Sequence, residues 1–329
     1  MQMDKRERIN GFVRELWLWY ALHKRSLPWR DLQDVEPNQR AYSVAVSEFM
    51  LQQTQVSRVV PAFRSFLGRF PTIESLARAQ NADVIRAWQG MGYNMRSLRL
   101  RDVARVVVEE HGGRFPQEMR DLLAMKGIGA YTAAAIRNFA FDLPTPCLDT
   151  NIRRILHRTF VGPERADGTW KQHDRYLLQL AAEVLDAALK IKISNFEMRI
   201  CTAQWHAALM DFGSLVCTKH APRWDVCPLT AKGLCRASYK VPQRRARIRR
   251  TEPGRLVGSQ FIPNRIFRGR VVEELRGAPG GLTLEEIGNR ICIDWQQEDH
   301  RIWLQDILHG LVRDALLRER RSQSVYTLS

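Results

Sequence analysis

Residues 123–132 read Leu-Ala-Met-Lys-Gly-Ile-Gly-Ala-Tyr-Thr. The spacing predicts a helix over 117–124, a tight Gly127-Ile128-Gly129 turn, and a second helix over 130–140 whose apolar positions continue through Ile136 and Phe139. Glycine at both turn positions admits positive φ and lets a ligand approach the backbone. The amides of such a turn, and of the helix N-terminus behind it, point outward where a phosphate can meet them. Taken alone, the pattern also fits a plain helical hairpin.

Working outward, the helical period fills most of the first 240 residues. Helices are expected at 4–24, 41–55, 57–69, 73–79, 81–89 and 96–111, the last stopped by Gly112-Gly113. Others follow at 150–160, 171–189 and 203–216, with no alternating strand pattern among them. After about residue 258 the pattern changes. A helix near 265–276 precedes a Gly-rich turn; Thr283 and Glu286 form a capping box for a short helix; a longer helix covers 299–315; the end suggests two strands about a polar turn. Three helices and a hairpin are the arithmetic of a winged helix, a module that enters a DNA groove, contacts protein or merely caps a neighbour. Between the two patterns, Arg236–Arg250 holds seven basic residues in fifteen and reads as an exposed linker.

The chain has 329 residues, a length that suggests two domains at about 150 residues each. With 45% hydrophobic and 26% charged residues it is neither disordered, collagen-like nor a disulfide miniprotein. Lys and Arg number 51 against 35 Asp and Glu, a net charge of +16. A surplus of that size attracts a polyanion, nucleic acid first. An anionic membrane is a weaker reading, because no apolar run approaches a span and no basic amphipathic anchor stands out. The charged start lacks a secretory pattern, and the six cysteines fit a reducing, cytoplasmic compartment.

Asp149 lies in Cys147-Leu-Asp-Thr-Asn-Ile-Arg-Arg-Ile-Leu156, between a Pro-rich loop and an apolar-periodic helix. Aspartate there reads as an N-cap. It is also well placed, near a phosphate-binding hairpin, to stabilise a cationic sugar.

The GxG hairpin followed by Leu-Asp-Thr-Asn resembles the helix-hairpin-helix DNA glycosylase superfamily. Leu27-Pro-Trp-Arg30, Val46-Ser-Glu-Phe-Met-Leu-Gln-Gln-Thr-Gln-Val56, Trp88-Gln-Gly-Met-Gly-Tyr93 and Leu209-Met-Asp-Phe-Gly213 are similar to its adenine glycosylase branch, the MutY family, over about residues 8–235. The resemblance implies an all-α catalytic region of two helical lobes (1–235), a basic linker (236–257) and the winged-helix-like α+β module (258–329). It implies a monomeric, nucleoid-associated base-excision enzyme acting on double-stranded DNA with a mismatched or damaged base. Adenine opposite guanine or 8-oxoguanine is the implied target; thymine or uracil mismatches, or lesion binding without catalysis, are the alternatives. Glu48 matches the acid that protonates the leaving base, and Asp149 the carboxylate that stabilises the oxocarbenium-like sugar. Tyr131 stands where strand-cutting members carry a Schiff-base lysine, which implies a monofunctional enzyme; Lys126 is nearby but off that position. Asn151 matches the residue orienting the aspartate and water. Gln53 and Thr54 match readers of the unpaired purine, Tyr93 with Met91 the wedge that fills the stack, Trp29 and Arg30 the base-pocket lining, and Gly127 and Gly129 the phosphate-binding turn.

Two departures accompany the match. The branch carries Gln or Glu ten residues before its first cluster cysteine, where this chain has Ala207, and the winged-helix-like tail stands where a Nudix-like domain is common. The resemblance also implies a [4Fe–4S] cluster over residues 217–235, yet of the C-x6-C-x2-C-x5-C pattern only Cys217 and Cys227 keep their places, with Trp224 at the second ligand position and Cys235 following after seven residues instead of five. A cluster with a fourth ligand such as His220, a zinc site of Cys217, His220, Cys227 and Cys235, and a metal-free loop are the readings left open.

Overall fold

The computed structural model describes residues 3–32, 35–241, 252–320 and 324–329. Residues 242–251, the middle of the expected linker, therefore lie outside the described part.

The helices run α1 (Lys5–His23), α2 (Pro37–Leu51), α3 (Val56–Arg69), α4 (Ile73–Ala77), α5 (Asn81–Ala87), α6 (Met95–His111), α7 (Met119–Ala124) and α8 (Ala130–Ala140). They continue with α9 (Thr150–Leu156), extended by a π-helical turn at His157–Val161, then α10 (Asp174–Lys190), α11 (Thr202–Leu215) and the short α12 (Pro228–Ala231). The C-terminal region adds β1 (Gly254–Val257), β2 (Gln260–Pro263), α13 (Asn264–Arg276), β3 (Leu282–Thr283), α14 (Leu284–Ile291), α15 (Gln297–Arg313), β4 (Leu317–Arg320) and β5 (Val325–Leu328). An all-α region with a small α+β module is the observed fold class, as expected. The hairpin β1–β2 in front of α13 has no counterpart in the sequence reading: its strands are four residues each and half-exposed, too short to alternate visibly.

The chain divides into two compact units. The first contains residues 1–44, 117–124 and 128–247. Its core gathers Phe12, Leu16, Trp17 and Tyr20 of α1 with Trp205 and Phe212 of α11 and Leu177, Leu180 and Val184 of α10. Trp17 and Trp205 meet at 5.4 Å and Phe12 meets Trp205 edge-on at 6.0 Å. Side chains of this size contribute about 1.5–3 kcal/mol each on full burial. The buried indole of Trp17 donates to the Ala188 carbonyl at 3.1 Å, so the polar atom taken into the core is satisfied.

The second unit joins residues 45–116 and 125–127 to 248–329. The module is welded to the α3–α6 lobe by a shared core in which Ile85 and Leu98 sit with Phe267, Val271, Leu275 and Leu308. Arg276 donates to the Ile85 carbonyl at 3.2 and 3.1 Å and to Asn94 Oδ1 at 2.9 Å. Asn81 donates to the Ala315 carbonyl at 3.2 Å. Within the module β5 is central, antiparallel to β3 on one side and β4 on the other, and Thr283 with Glu286 makes the capping box of α14. No helix among the described residues is long and apolar enough to cross a membrane.

Candidate active site

Asp149 is the N-cap of α9, its backbone extended and its carboxylate turned back onto the helix. Oδ1 accepts the Ile152 amide at 2.6 Å, and Oδ2 accepts Asn151 Nδ2 at 3.0 Å. Both oxygens are thus fixed by donors. Asn151 is oriented in turn, because Arg154 Nη2 donates to its Oδ1 at 2.6 Å. The same guanidinium donates to the carbonyls of Gly213 at 2.8 Å and Cys217 at 2.6 Å, tying α9 to α11. Burial pulls the Arg154 pKa down, opposed first by the neighbouring Cys217.

Tyr131 lies in the first turn of α8, half-buried and packed on the core of the same unit. In the turn before it, Gly127 takes φ +110°, open only to glycine. Gly129 does not: it caps α8 at φ −93°, so the expectation of two positive-φ glycines holds for Gly127 alone. The turn reverses at Gly127, and by Gly129 the chain needs only the extended conformation that leads into a helix. Lys126 is exposed on that turn. Glu48 sits on α2, half-buried.

In the first unit a cavity of about 260 Å³ is lined by Arg30, Arg40, Phe139, Cys201 and Gln204. Trp29, Tyr20, Gln204 and Ala207 line a narrower pocket that shares Arg30 with it. Arg30 Nη1 grips the fully buried Asp211 at 2.9 and 2.8 Å, and Arg25 Nε joins at 2.7 Å. Two cations on one buried carboxylate fix the Arg30 side chain. The Tyr20 hydroxyl donates to Gln204 Oε1 at 3.0 Å.

Gln53, Thr54, Met91 and Tyr93 come together in the second unit, around one larger cavity. Gln53 and Tyr93 both take positive φ, +56° and +46°, conformations that side chains with Cβ rarely adopt. The conformation swings Tyr93 outward to 54% exposure, whereas Met91 is buried beneath it. A buried arginine holds the two loops. Arg96 Nη1 donates to the carbonyls of Phe49 (2.9 Å), Met50 (3.2 Å) and Gln52, while Nη2 donates to Thr54 Oγ1 (3.2 Å) and the carbonyls of Met91 (3.0 Å) and Gly92 (3.3 Å). Its guanidinium also lies over the rings of Trp88 and Tyr93 at 5.7 and 5.5 Å.

In the 217–235 loop Cys217 and Cys227 are buried, Cys235 is half-buried, and all three join the core of the first unit. His220 is exposed, and Trp224 packs against Tyr239 at 6.0 Å. A fully buried arginine organises the loop. Arg158 donates to Glu164 at 2.8 and 3.2 Å, to the carbonyls of Thr218 (2.7 Å) and Lys219 (3.1 Å), and to Cys217 Sγ at 3.7 Å. The Cys235 thiol donates to the Arg158 carbonyl at 3.5 Å. Burial pushes the Cys217 thiol up, and that of Cys235 to about 11. Among the described residues no three His, Cys, Asp or Glu stand where they could hold a metal ion. A four-iron cluster takes four ligands, usually thiolates; this loop offers three cysteines, with the indole of Trp224 at the second ligand position. The residues do not fit a four-thiolate cluster.

Sequence reasoning named Asp149 and Asn151 but passed over Arg154, Arg96, Arg158 and Asp211. Arg154 lies one turn after Asn151, within reach of an (i, i+3) argument; Asp211 lies inside the quoted Leu-Met-Asp-Phe-Gly motif, but its partners Arg25 and Arg30 are 186 and 181 residues away. Arg96 and Arg158 carried no signal, because a basic residue in a basic chain reads as surface.

Residues 46–192 match the HhH-GPD superfamily of base excision DNA repair proteins. The chain is 37% identical to the adenine DNA glycosylase of Mycolicibacterium smegmatis over 216 residues, covering 66% of this chain and 67% of that one. It is 32% identical to the adenine DNA glycosylase of Mycobacterium tuberculosis over 302 residues, covering 92% and 88%. Among solved structures, a thermostable thymine-DNA glycosylase shares the fold, with a TM-score of 0.58 at 23% identity over 71% of this chain and 98% of that one.

Proposed function

Because the chain belongs to the HhH-GPD superfamily of base excision DNA repair proteins, and within it to the adenine DNA glycosylases, we propose that it flips adenine paired with guanine or 8-oxoguanine out of duplex DNA and hydrolyses its N-glycosidic bond. The observation that carries this reading is the Asp149 carboxylate, held through both oxygens by Ile152 and Asn151 at the start of the helix that follows the hairpin.

Glu48 donates the proton that lets the base leave as a neutral molecule. As the bond to C1′ lengthens, positive charge grows on the sugar, and Asp149 lies ready to stabilise it without reorganising. Water adds at C1′ and gives up a proton, leaving free base and an abasic site. Tyr131, with no amine, forms no imine with the sugar, so the phosphodiester stays intact. Gln53 and Thr54 read the purine left behind, Tyr93 enters the gap with Met91 supporting it from below, and Trp29 and Arg30 line the pocket for the extruded base. The Gly127–Gly129 turn presents amides to a phosphate. Residues 1–235 do this work, with 258–329 as an accessory module. No step passes through a metal: Cys217 and Cys227 pack in the core of the first unit with Cys235 against it, and Cys217 and Cys235 hydrogen-bond to Arg158.

Ala207 favours a second reading. With no carboxylate or carboxamide there, the base pocket loses a polar partner, and thymine or uracil opposite guanine becomes an alternative substrate. A panel of mismatched duplexes, treated with alkali after incubation, decides. Adenine release opposite 8-oxoguanine upholds the proposal, thymine or uracil release replaces it, and tight binding without release turns the protein into a lesion sensor.

A further inference from the structure

The cavity around Gln53 and Tyr93 is not walled by the helical lobe alone. It measures about 600 Å³, and its far side is α13 of the C-terminal module, contributing Arg265, Ile266, Arg268 and Gly269. Across from them stand Arg58 and Arg99. Both, like Arg265, are exposed, and among the described residues no carboxylate lines the space. Arg265 and Tyr93 line the same cavity, so the module shares that space with the residue argued to fill the DNA stack. Arg265 and Arg268 are each held from behind, by Glu252 at 2.7 Å and by Asp314, which fixes the guanidinium groups at the rim instead of leaving them to wander.

A cavity of this size is in the range that encloses a small ligand, and its exposed charged groups are cations only. Guanidinium groups facing each other across such a gap match phosphodiester oxygens, which accept two parallel hydrogen bonds from one arginine. We propose that the C-terminal module forms one wall of the DNA-binding site, with Arg265 and Arg268 gripping the backbone of the strand that carries the unpaired purine, opposite Arg58 and Arg99. The assignment of the strand rests on the reading of Gln53 and Tyr93 given above; the assignment of the module to DNA rests on the cavity itself.

The test is the salt dependence of binding by the full-length chain to a duplex whose target adenosine carries a 2′-fluorine, which disfavours the oxocarbenium-like sugar and so leaves binding visible. Each lost phosphate contact lowers the slope of log K against log salt by about 0.9. Arg265→Ala is expected to lower it by about that much, Arg265→Lys to restore it, and Glu252→Gln, which frees the arginine, to tighten binding. Arg318→Ala, on an exposed strand outside the cavity, serves for comparison. An unchanged slope in Arg265→Ala, or an equal loss in Arg318→Ala, overturns the proposal. Its failure is separable from that of the glycosylase reading: wild-type protein that releases base while Arg265→Ala keeps the full slope defeats only the inference, whereas wild-type protein that releases no base from any duplex defeats the reading beneath it.

Discussion

Gly213 faces Asn151 so closely that a Cβ at 213 would stand 2.7 Å from the Asn151 Cβ and 3.1 Å from its Oδ1. The glycine lets α11 approach α9, and the approach keeps Asn151 where it can donate to Asp149. Gly213→Ala must push the asparagine away. A shift of about 1 Å at a positioned group costs about 10²-fold in rate. Single-turnover base release should fall by that order while duplex affinity stays near wild type; a rate within threefold (roughly the noise of such comparisons against the expected loss) would show that Asn151 does not set the aspartate's position.

Asp149→Asn keeps a side chain that caps helices about as well and removes the charge. Losing a preorganised electrostatic partner of a developing charge costs about 10²–10³ in rate. Base release should drop by at least that much, with the thermal midpoint little changed. A variant that turns over normally would take Asp149 out of the mechanism.

Tyr131 offers no amine at the position that would carry the imine. Borohydride added during turnover should trap no covalent protein–DNA adduct, and strand breaks should appear only after alkali or heat. Efficient trapping would point to Lys126, exposed on the neighbouring turn. Loss of trapping in Lys126→Ala would then confirm it.

How much of this was legible beforehand divides along physical lines. Helix positions were readable wherever an apolar stripe repeats, as in α8, whose span matches the spacing to the residue. The Thr283–Glu286 capping box was readable because its chemistry is local. The Asp149 cap was readable for the same reason. Arg96 was not: its six acceptors come from the end of α2 with the turn after it and from the Met91–Gly92 loop, some forty residues apart, and no local pattern distinguishes an arginine that folds inward from one that meets water. Nor was the docking of α13 beside Tyr93, which depends on the long-range burial of Ile85 and Leu98 with the module's core.

The Arg158–Glu164 pair, exposed by no more than 1% on either side, makes its own test of the cysteine loop. Removing one member of a buried pair leaves the other charge unpaired, at a cost of about 3–5 kcal/mol. Glu164→Gln should lose about that much stability. Glu164→Leu combined with Arg158→Met should recover part of it, because no orphan charge remains, though the carbonyls of Thr218 and Lys219 then lose their donor. Urea unfolding of the two variants separates the effects. Equal losses would mean that the arginine matters through the loop carbonyls and not through its ion pair.

His206 sets a pH limit on stability. It is buried in α11, its Nδ1–H donating to the Thr202 carbonyl at 2.9 Å and its Nε2 accepting from Asn138 Nδ2 at 3.4 Å. Burial disfavours the cation and pushes the pKa from 6.5 down to about 4. Between those values the unfolded chain binds a proton that the folded chain refuses, so stability is greatest above pH 6.5 and falls as the pH drops toward 4. Burial lowers His157 in the same sense. From the His206 shift alone the loss is about 2 kcal/mol by pH 5. His206→Gln keeps a polar side chain without the titration, and the variant should lose less stability than wild type between pH 7.5 and pH 5 (roughly the upper and lower ends of the histidine range), whatever its stability at the upper value. The comparison is the urea midpoint of both proteins at both pH values. Carboxylate protonation is common to the two and drops out of the difference. Parallel losses would mean that His206 accepts a proton inside the fold, and with it that Asn138, whose Nδ2 donates to Nε2, rearranges to accept from an imidazolium.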